Sequence, residues 1–368
     1  MRRAGGRAWP CDLVPPIELR RRGGRSDPRR ARDIGGHHHQ SGGLYPYLCC
    51  HPRCSQRFRR AGDRGAYLQR AQTRKLSTSF LCLAAGRWRD RRARHRRLSP
   101  CAAAHENTRR IIMDLPKNRF KAALAEGRQQ IGLWNSIGGA SVPEALAGVG
   151  FDWIVIDTEH SPTDVPDVLR ALQAMAAYPG TSAVVRPAFN DNVLIKRILD
   201  FGAQTLLIPY VQTRDEAEAA VKAVRYPPHG LRGVAGATRA SGYSRIKDYF
   251  ARANDEFCLL VQVETIEAMG RLEEIASVEG VNGVFIGPAD LAASMGFPGQ
   301  PGHPEVRAQI DNAIDRLKKI GVPSGILTMD RAHAQHCIAR GTTFTAVGLD
   351  LSMMLGAAKE LAGAFGRG

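Results

Sequence analysis

Long apolar runs are missing from this chain. No stretch of its 368 residues reaches the roughly 18 apolar residues that a spanning helix needs, which excludes an integral membrane protein of helical type. Lysine is nearly missing from the first third. Residues 1–112 hold 26 Arg and one Lys against seven acids, a net of +20, whereas residues 113–368 hold 25 basic and 28 acidic side chains, a net of −3. The whole-chain charge of +17 therefore does not describe a uniformly basic globular protein. Cysteine is sparse where the composition is globular: six of the eight lie in the first third and only Cys258 and Cys337 beyond it. That excludes a disulfide-stapled mini-domain and fits a reducing cytoplasm.

Residues 1–112 also hold few Ile, Val or Phe, and lack any helical or strand period, to offset the entropy of ordering them. Cys49-Cys50-His51 with Cys54 resembles a metal cluster, but no second pair follows at zinc-finger spacing. His37–His39 is a short tract. Phe80–Ala85 after Arg74-Lys75 has the look of a signal-peptide core, yet it begins 80 residues into the chain. The Arg clusters at 20–30 and 87–97 fit either nucleic-acid binding or a solvated tail. A third reading covers all of this: GC-rich DNA upstream of a gene, read as protein, gives Arg, Gly, Ala and Pro with almost no Lys. The expectation is a low-order leader over 1–112 that is not part of the natural protein, with translation starting at Met113.

From Met113 short apolar runs alternate with amphipathic stretches. The runs are Gln130–Trp134, Trp153–Ile156, Ala183–Arg186, Thr205–Ile208, Cys258–Val263, Gly283–Ile286, Ser324–Leu327 and Phe344–Val347. Helical spacing is read over Val165–Ala177, Asn192–Phe201, Arg214–Val224, Glu267–Ser277, Glu305–Ile320 and Arg331–Arg340. Eight strand–helix repeats in about 250 residues match a (β/α)8 barrel over 113–368. The alternative is a doubly wound sheet, which ordinarily carries a Gly-rich phosphate loop after its first strand. The corresponding segment here, Asn135-Ser136-Ile137-Gly138-Gly139, lacks that spacing.

In such a barrel the chemistry sits where strands end. Gln262 and Glu264 alternate onto one side of the fifth run, and Asp290 follows the sixth. Two carboxylates at adjacent strand ends suit Mg²⁺ or Mn²⁺; the plain alternative is a rim salt bridge. Asp157, Glu159 and His160 after the second run fit a base relay in which Asp157 orients the imidazole, or else a helix cap with an exposed histidine. Arg186 at the third strand end fits a clamp for a carboxylate or oxyanion, or a structural ion pair. No Lys lies on or at the end of a run, so a Schiff-base mechanism lacks its nucleophile.

These residues, with QIGLW (130–134), GFDWIVIDTEHS (150–161), VVRP (184–187), RYPPHGLRGV (225–234), VQVET (261–265), GVFIGPADL (283–291) and AVGLD (346–350), resemble the class II pyruvate aldolases that act on 4-hydroxy-2-oxoheptane-1,7-dioate. The resemblance spans about Asn118 to Gly366. It implies Glu264 and Asp290 as ligands of a divalent cation (Mg²⁺, Mn²⁺ or Co²⁺), Arg186 at the pyruvate keto oxygen, and His160 as acid–base residue with Asp157 beside it. It further implies Gln262 and Ala289 as substrate contacts, Trp134 as a pocket wall, and Asp200 reaching a neighbouring subunit's site in a hexamer, a trimer of dimers. In the family the last helix exchanges between subunits, a part open here to Leu351–Phe365. The implied activity is reversible cleavage of a 4-hydroxy-2-oxo acid to pyruvate and an aldehyde, in the cytoplasm, within aromatic-compound breakdown, with neither nucleic acid nor membrane as partner. Two rivals stand beside it on the same fold: a 2-dehydro-3-deoxy sugar-acid aldolase, and a CoA-ester lyase using Arg225, Arg232 and Arg239 for phosphate. A third is nucleic-acid binding through the leader.

Overall fold

A computed structural model describes residues 113–367; the readings of the Arg-rich leader lie outside the described residues. The eight apolar runs form β1 (Gln130–Asn135), β2 (Trp153–Asp157), β3 (Ser182–Arg186), β4 (Thr205–Ile208), β5 (Cys258–Val263), β6 (Gly283–Ile286), β7 (Ser324–Leu327) and β8 (Phe344–Leu349). All pair in parallel and in sequence order, and β8 closes on β1. The barrel is thus the architecture, and the doubly wound sheet is excluded.

Twelve helices connect and flank the strands: α1 (Arg119–Ala125), α2 (Ser141–Ala147), α3 (Val165–Met175), α4 (Asn192–Asp200), α5 (Arg214–Val224), α6 (Tyr249–Glu256), α7 (Ile266–Gly270), α8 (Leu272–Ala276), α9 (Pro288–Ser294), α10 (Pro304–Lys319), α11 (Arg331–Arg340) and α12 (Asp350–Ala364). The single helix expected over Glu267–Ser277 is two. Gly270 weakens the helix interior, and Arg271 leaves helical geometry at φ −113°, ψ 17°. Short side chains start several helices where strands end. Asp164 caps α3 in a capping box, Asp191 caps α4, Thr213 caps α5 and Asp330 caps α11. Each satisfies backbone N–H groups that would otherwise face the barrel mouth unpaired.

The core has two layers. The outer one joins strand faces to helices, with Ile154, Ile156, Val185, Ile195, Leu199 and Ile310 among its buried members. The inner one fills the barrel with Trp153, Val155, Val184, Leu207, Leu260, Phe285 and Phe344. α1 closes the N-terminal end: Phe120 meets Trp153 and Phe344 edge-on, at 5.7 and 5.8 Å between ring centroids. Gly132 makes room for this plug, since a Cβ there would stand 2.2 Å from the Trp153 ring. With these side chains filling the barrel interior, the polar residues at the strand ends stand at the opposite, C-terminal mouth.

Candidate active site

Register builds the centre of the mouth. β2 and β3 pair with Asp157 directly beside Arg186, and both face inward at the last strand position. Arg186 donates from Nε to Asp157 Oδ1 at 2.8 Å and from Nη2 to Oδ2 at 2.6 Å. Its Nη1 forms an ion pair with Glu159 Oε2 at 2.8 Å, without the alignment of a hydrogen bond. The guanidinium lies 4.8 Å over the Trp134 ring, whose Nε1 donates to Asp157 at 3.1 Å. Burial works against charge on Asp157, but the hydrogen bonds and charge of Arg186, with the Glu159 N–H and the indole, outweigh it and hold the carboxyl below its ordinary value. Burial pushes Glu159 the other way, with Arg186 opposing and the Asp157 and Asp290 carboxylates adding to the rise.

This geometry corrects two expectations. Asp157 does not orient His160: its oxygens are taken by Arg186, Trp134 and the Glu159 N–H, because strand register places it against β3 rather than over the turn. The carboxylate near His160 is Glu159, at 4.0 Å, and the imidazole is 67% exposed. Trp134 is not an open pocket wall; it is buried beneath Arg186. Asp200 is absent from the mouth of its own chain. It ends α4, which runs back to the N-terminal end of the barrel, and it pairs there with buried Arg232 at 2.7 Å. Arg239 lies at that end too, donating to the carbonyls of Phe201 and Leu172, and Arg225 caps the far end of α5. These arginines therefore do not form a phosphate site beside the carboxylates. A cavity of about 670 Å³ also opens at the N-terminal end; Arg239 lines it, and none of the candidate residues of the mouth does.

Glu264 and Asp290 do meet at the mouth. Glu264, one residue past β5, is buried; Asp290 stands exposed in the first turn of α9, after β6. Glu264 Oε1 accepts from the Tyr210 N–H at 2.9 Å, and Oε2 accepts from the Gln262 amide. Tyr210 holds a left-handed φ of 52°, an uncommon state for a residue other than glycine and one that concentrates at functional sites. Burial pushes the Glu264 carboxyl up to about 7, with the Asp290 and Glu159 charges adding and the Gln262 and Tyr210 hydrogen bonds opposing. Gln262 Oε1 is buried without a hydrogen-bond partner. Opposite, Gly287 leaves the space open: a Cβ there would lie 2.3 Å from Glu264 Oε2. Ala289 is exposed in the same turn of α9.

Asp350, to which the sequence assigns no role, is an anchor. Buried where β8 gives way to α12, it accepts from Asn135 Nδ2 (2.6 Å), the Ser136 N–H and Oγ (3.0 and 2.9 Å), the Ile137 N–H (3.0 Å) and the Leu351 N–H (2.7 Å). It fixes the loop after β1 to the end of β8. Burial opposes its charge, and these donors outweigh burial and hold the carboxyl below its ordinary value of 3.8. Asp350→Ala strips the donors of their acceptor and is expected to cost about 2–3 kcal/mol near neutrality. An acid whose folded value is depressed contributes stability above its unfolded value and loses it as pH falls. The difference in melting temperature between variant and wild type should therefore be full above about pH 4 and shrink below it.

The comparisons with known proteins bear on this arrangement. The family described as HpcH/HpaI aldolase/citrate lyase matches residues 130–357, which hold every candidate residue of the mouth. The chain belongs to this family. A pyruvate aldolase of Rhizobium etli is 59% identical over 253 residues, covering 69% of this chain and 99% of that one. A 4-hydroxy-2-oxo-heptane-1,7-dioate aldolase of Escherichia coli is 53% identical over 251 residues, covering 68% and 95%. Among solved structures, an HpcH/HpaI aldolase/citrate lyase family protein of Burkholderia cenocepacia superimposes with a TM-score of 0.66 at 39% identity, covering 68% of this chain and 99% of that one. The chain is thus an aldolase-family lyase on a (β/α)8 barrel.

Proposed function

We propose that the protein is a divalent-metal-dependent aldolase that reversibly cleaves 4-hydroxy-2-oxo acids, 4-hydroxy-2-oxoheptanedioate among them, to pyruvate and an aldehyde. One observation carries the reading: Glu264 and Asp290 share a mouth with Arg186, and lysine is absent from every strand end. The names of the Rhizobium and Escherichia relatives support it.

The residues present suit a hard divalent cation. Glu264 and Asp290 offer oxygen ligands, the orphan oxygen of Gln262 offers an acceptor beside them, and Gly287 keeps the space clear. Among the described residues no three His, Cys, Asp or Glu side chains gather into a metal cage, so this pair would leave positions for substrate. When bound, Mg²⁺, Mn²⁺ or Co²⁺ supplies Lewis-acid polarisation of the 2-oxo group.

The chain's own part follows from its geometry. Arg186 donates two of its five N–H groups to Asp157 and pairs Nη1 with Glu159 by charge alone, so N–H groups remain for the 2-oxo oxygen as it gains charge. Trp134 and Asp157 hold the guanidinium plane in place for that contact. Exposed His160 takes the 4-hydroxyl proton as C3–C4 breaks and returns it on addition. Gln262 and the first turn of α9 at Ala289 contact the 2-oxo acid. The decisive assay is pyruvate release from a panel of 4-hydroxy-2-oxo acids with and without EDTA. Release that survives metal removal and Mn²⁺ add-back alike would overturn the metal assignment; no release at all would overturn the aldolase reading.

Gly287→Ala gives a sharper check. The backbone there, φ −93° and ψ 98°, accepts alanine without strain, so the variant acts through its methyl against Glu264. Mn²⁺ affinity, read by titration, is expected to fall about tenfold or more while circular dichroism stays unchanged.

The assembly we propose is a homo-hexamer built as a trimer of dimers. α12 packs little against its own barrel: Leu351, Met353, Met354, Leu355 and Leu361 are all exposed, and Asp350 is its one buried residue. Covering that helix with a second copy, and bringing a second copy's Asp200 to the mouth, would give both features a use. Sedimentation of the full chain tests the assembly. Among the described residues no helix is long and apolar enough to cross a membrane. With sparse Cys this supports a cytoplasmic setting.

A further inference from the structure

We propose that the cavity at the N-terminal end of the barrel is a binding site for a small carboxylate with an apolar body, held by Arg119, Arg239 and Arg245 and separate from the mouth. The inference goes beyond the aldolase reading and does not rest on it.

Size and lining are the first ground. At about 670 Å³ the cavity falls within the roughly 300–1,000 Å³ of small-molecule sites. Leu172, Met175, Ile246, Tyr249 and Phe257, all buried, give it an apolar ground. Its lining shares no residue with the mouth.

Charge is the second ground. The lining holds Lys117, Arg119, Arg239 and Arg245 against one acid, Glu256. Glu256 is already matched: it pairs with Lys117 at 2.6 Å and accepts from the Asn118 N–H at 2.8 Å. Of the other acids at this end, Asp200 pairs with Arg232, Asp248 lies beside Lys247, and Asp114 and Asp255 are exposed and outside the lining. The three guanidiniums meet carbonyls instead. Arg119 donates to Pro179 at 3.0 Å, Arg245 to Gly242 at 2.6 Å, and Arg239 to Phe201 and Leu172 at 2.6 and 3.3 Å. A carbonyl satisfies an N–H but leaves the charge in place. α3, α4 and α6 end here, each with about half a negative charge at its C-terminus; that gathers arginines, yet it sums to less than their three positive charges. Burial opposes the charge on Arg239, and no acid offsets it. An anion in the cavity would.

The backbone is the third ground. Tyr243 and Ser244 hold consecutive left-handed φ values of 56° and 67°, uncommon for residues other than glycine and concentrated at functional sites. They lie in the segment that brings Arg239, Tyr243 and Arg245 to one cavity, with the Arg245 guanidinium 5.8 Å from the Tyr243 ring.

The test titrates 4-phenylbutanoate and its neutral amide, 4-phenylbutanamide, into the metal-free full-length protein by calorimetry. The acid is expected to bind once per chain with a Kd below about 1 mM, and the amide about tenfold or more weaker, because a charged acceptor makes the stronger hydrogen bonds. Arg239→Gln should weaken the acid about tenfold or more. Arg239 also ties the ends of α3 and α4, so Ala176→Trp gives an independent arm. Ala176 is exposed on the lining, and an indole there should fill the cavity and exclude the acid while the melting temperature stays that of wild type. No binding of the acid, or equal binding of the amide, would overturn the inference. Undiminished binding in either folded variant would overturn it too, by assigning the acid to another surface, the Arg-rich leader included. Displacement of the acid by pyruvate with Mn²⁺ would assign it to the mouth, with the same consequence.

Discussion

Glu264→Gln is expected to stabilise the metal-free barrel at about pH 8 while abolishing metal binding and turnover. In the folded protein burial raises the Glu264 carboxyl to about 7, above its ordinary 4.5. A raised acid contributes no penalty below its unfolded value, where both states hold the proton. Stability then falls as pH rises toward 7, because the folded state resists ionisation. At about pH 8 the full penalty is present, on the order of 2–3 kcal/mol. Glutamine removes it. Its oxygen can still accept from the Tyr210 N–H, and its amide can donate to the Gln262 oxygen that has no partner in the wild-type chain. The melting temperature of the metal-free variant should therefore exceed wild type at pH 8 and converge with it below about pH 5. Turnover should drop about 10³-fold or more, the several kcal/mol that a Lewis-acid ion supplies. Asp290→Asn should lose the same turnover without the stability gain, since Asp290 is exposed. A Glu264→Gln variant that keeps wild-type turnover would remove it from the metal site.

The strands were legible because a barrel interior demands apolar residues over short, regular runs. β4, β5, β6 and β7 have the bounds that the runs give, and β2 and β8 differ only by carrying a polar or glycine-rich end. Short helices were less legible. α1, α2, α6 and α9 span seven or eight residues, too few for a helical period to repeat. The site residues could be gathered from strand ends, but which side chain touches which could not. Asp157 and His160 are close in sequence, so pairing them was natural; the parallel register instead puts Asp157 against Arg186. Knowing that neighbouring strands end level would have exposed that pair, and likewise the meeting of Asp350 with Ser136 across the β8–β1 closure. Gly287 and Tyr210 act through a missing Cβ and a backbone N–H, which residue type alone does not announce. Asp200 sits far from its own mouth because a helix that starts at a strand's end must finish at the barrel's other face.

Arg186→Lys should separate the two readings of that residue, an oxyanion donor or a structural ion pair. Lysine keeps the positive charge but presents one compact ammonium in place of a planar fork. It cannot pair both oxygens of Asp157, reach Glu159, stack on Trp134 and still offer donors to the substrate. Both readings therefore expect some loss of stability, because Asp157 is buried and partly unpaired in the variant; removing such a partner outright costs about 3–5 kcal/mol, and a retained charge should cost less. The pair's contribution has a pH signature. Asp157 lies below its ordinary 3.8 in the folded chain, so the stabilisation exists above that value and fades as pH falls beneath it. The stability gap between variant and wild type should close in acid. The rate gap is different. If the spare N–H groups of Arg186 meet the 2-oxo oxygen as charge develops, kcat at neutral pH should fall about 10²–10³-fold even in variant protein that is fully folded, as for the loss of one oxyanion donor. A change below about tenfold in folded variant would leave Arg186 as the partner of Asp157 and Glu159 alone, and the developing charge would then fall to other groups at the mouth.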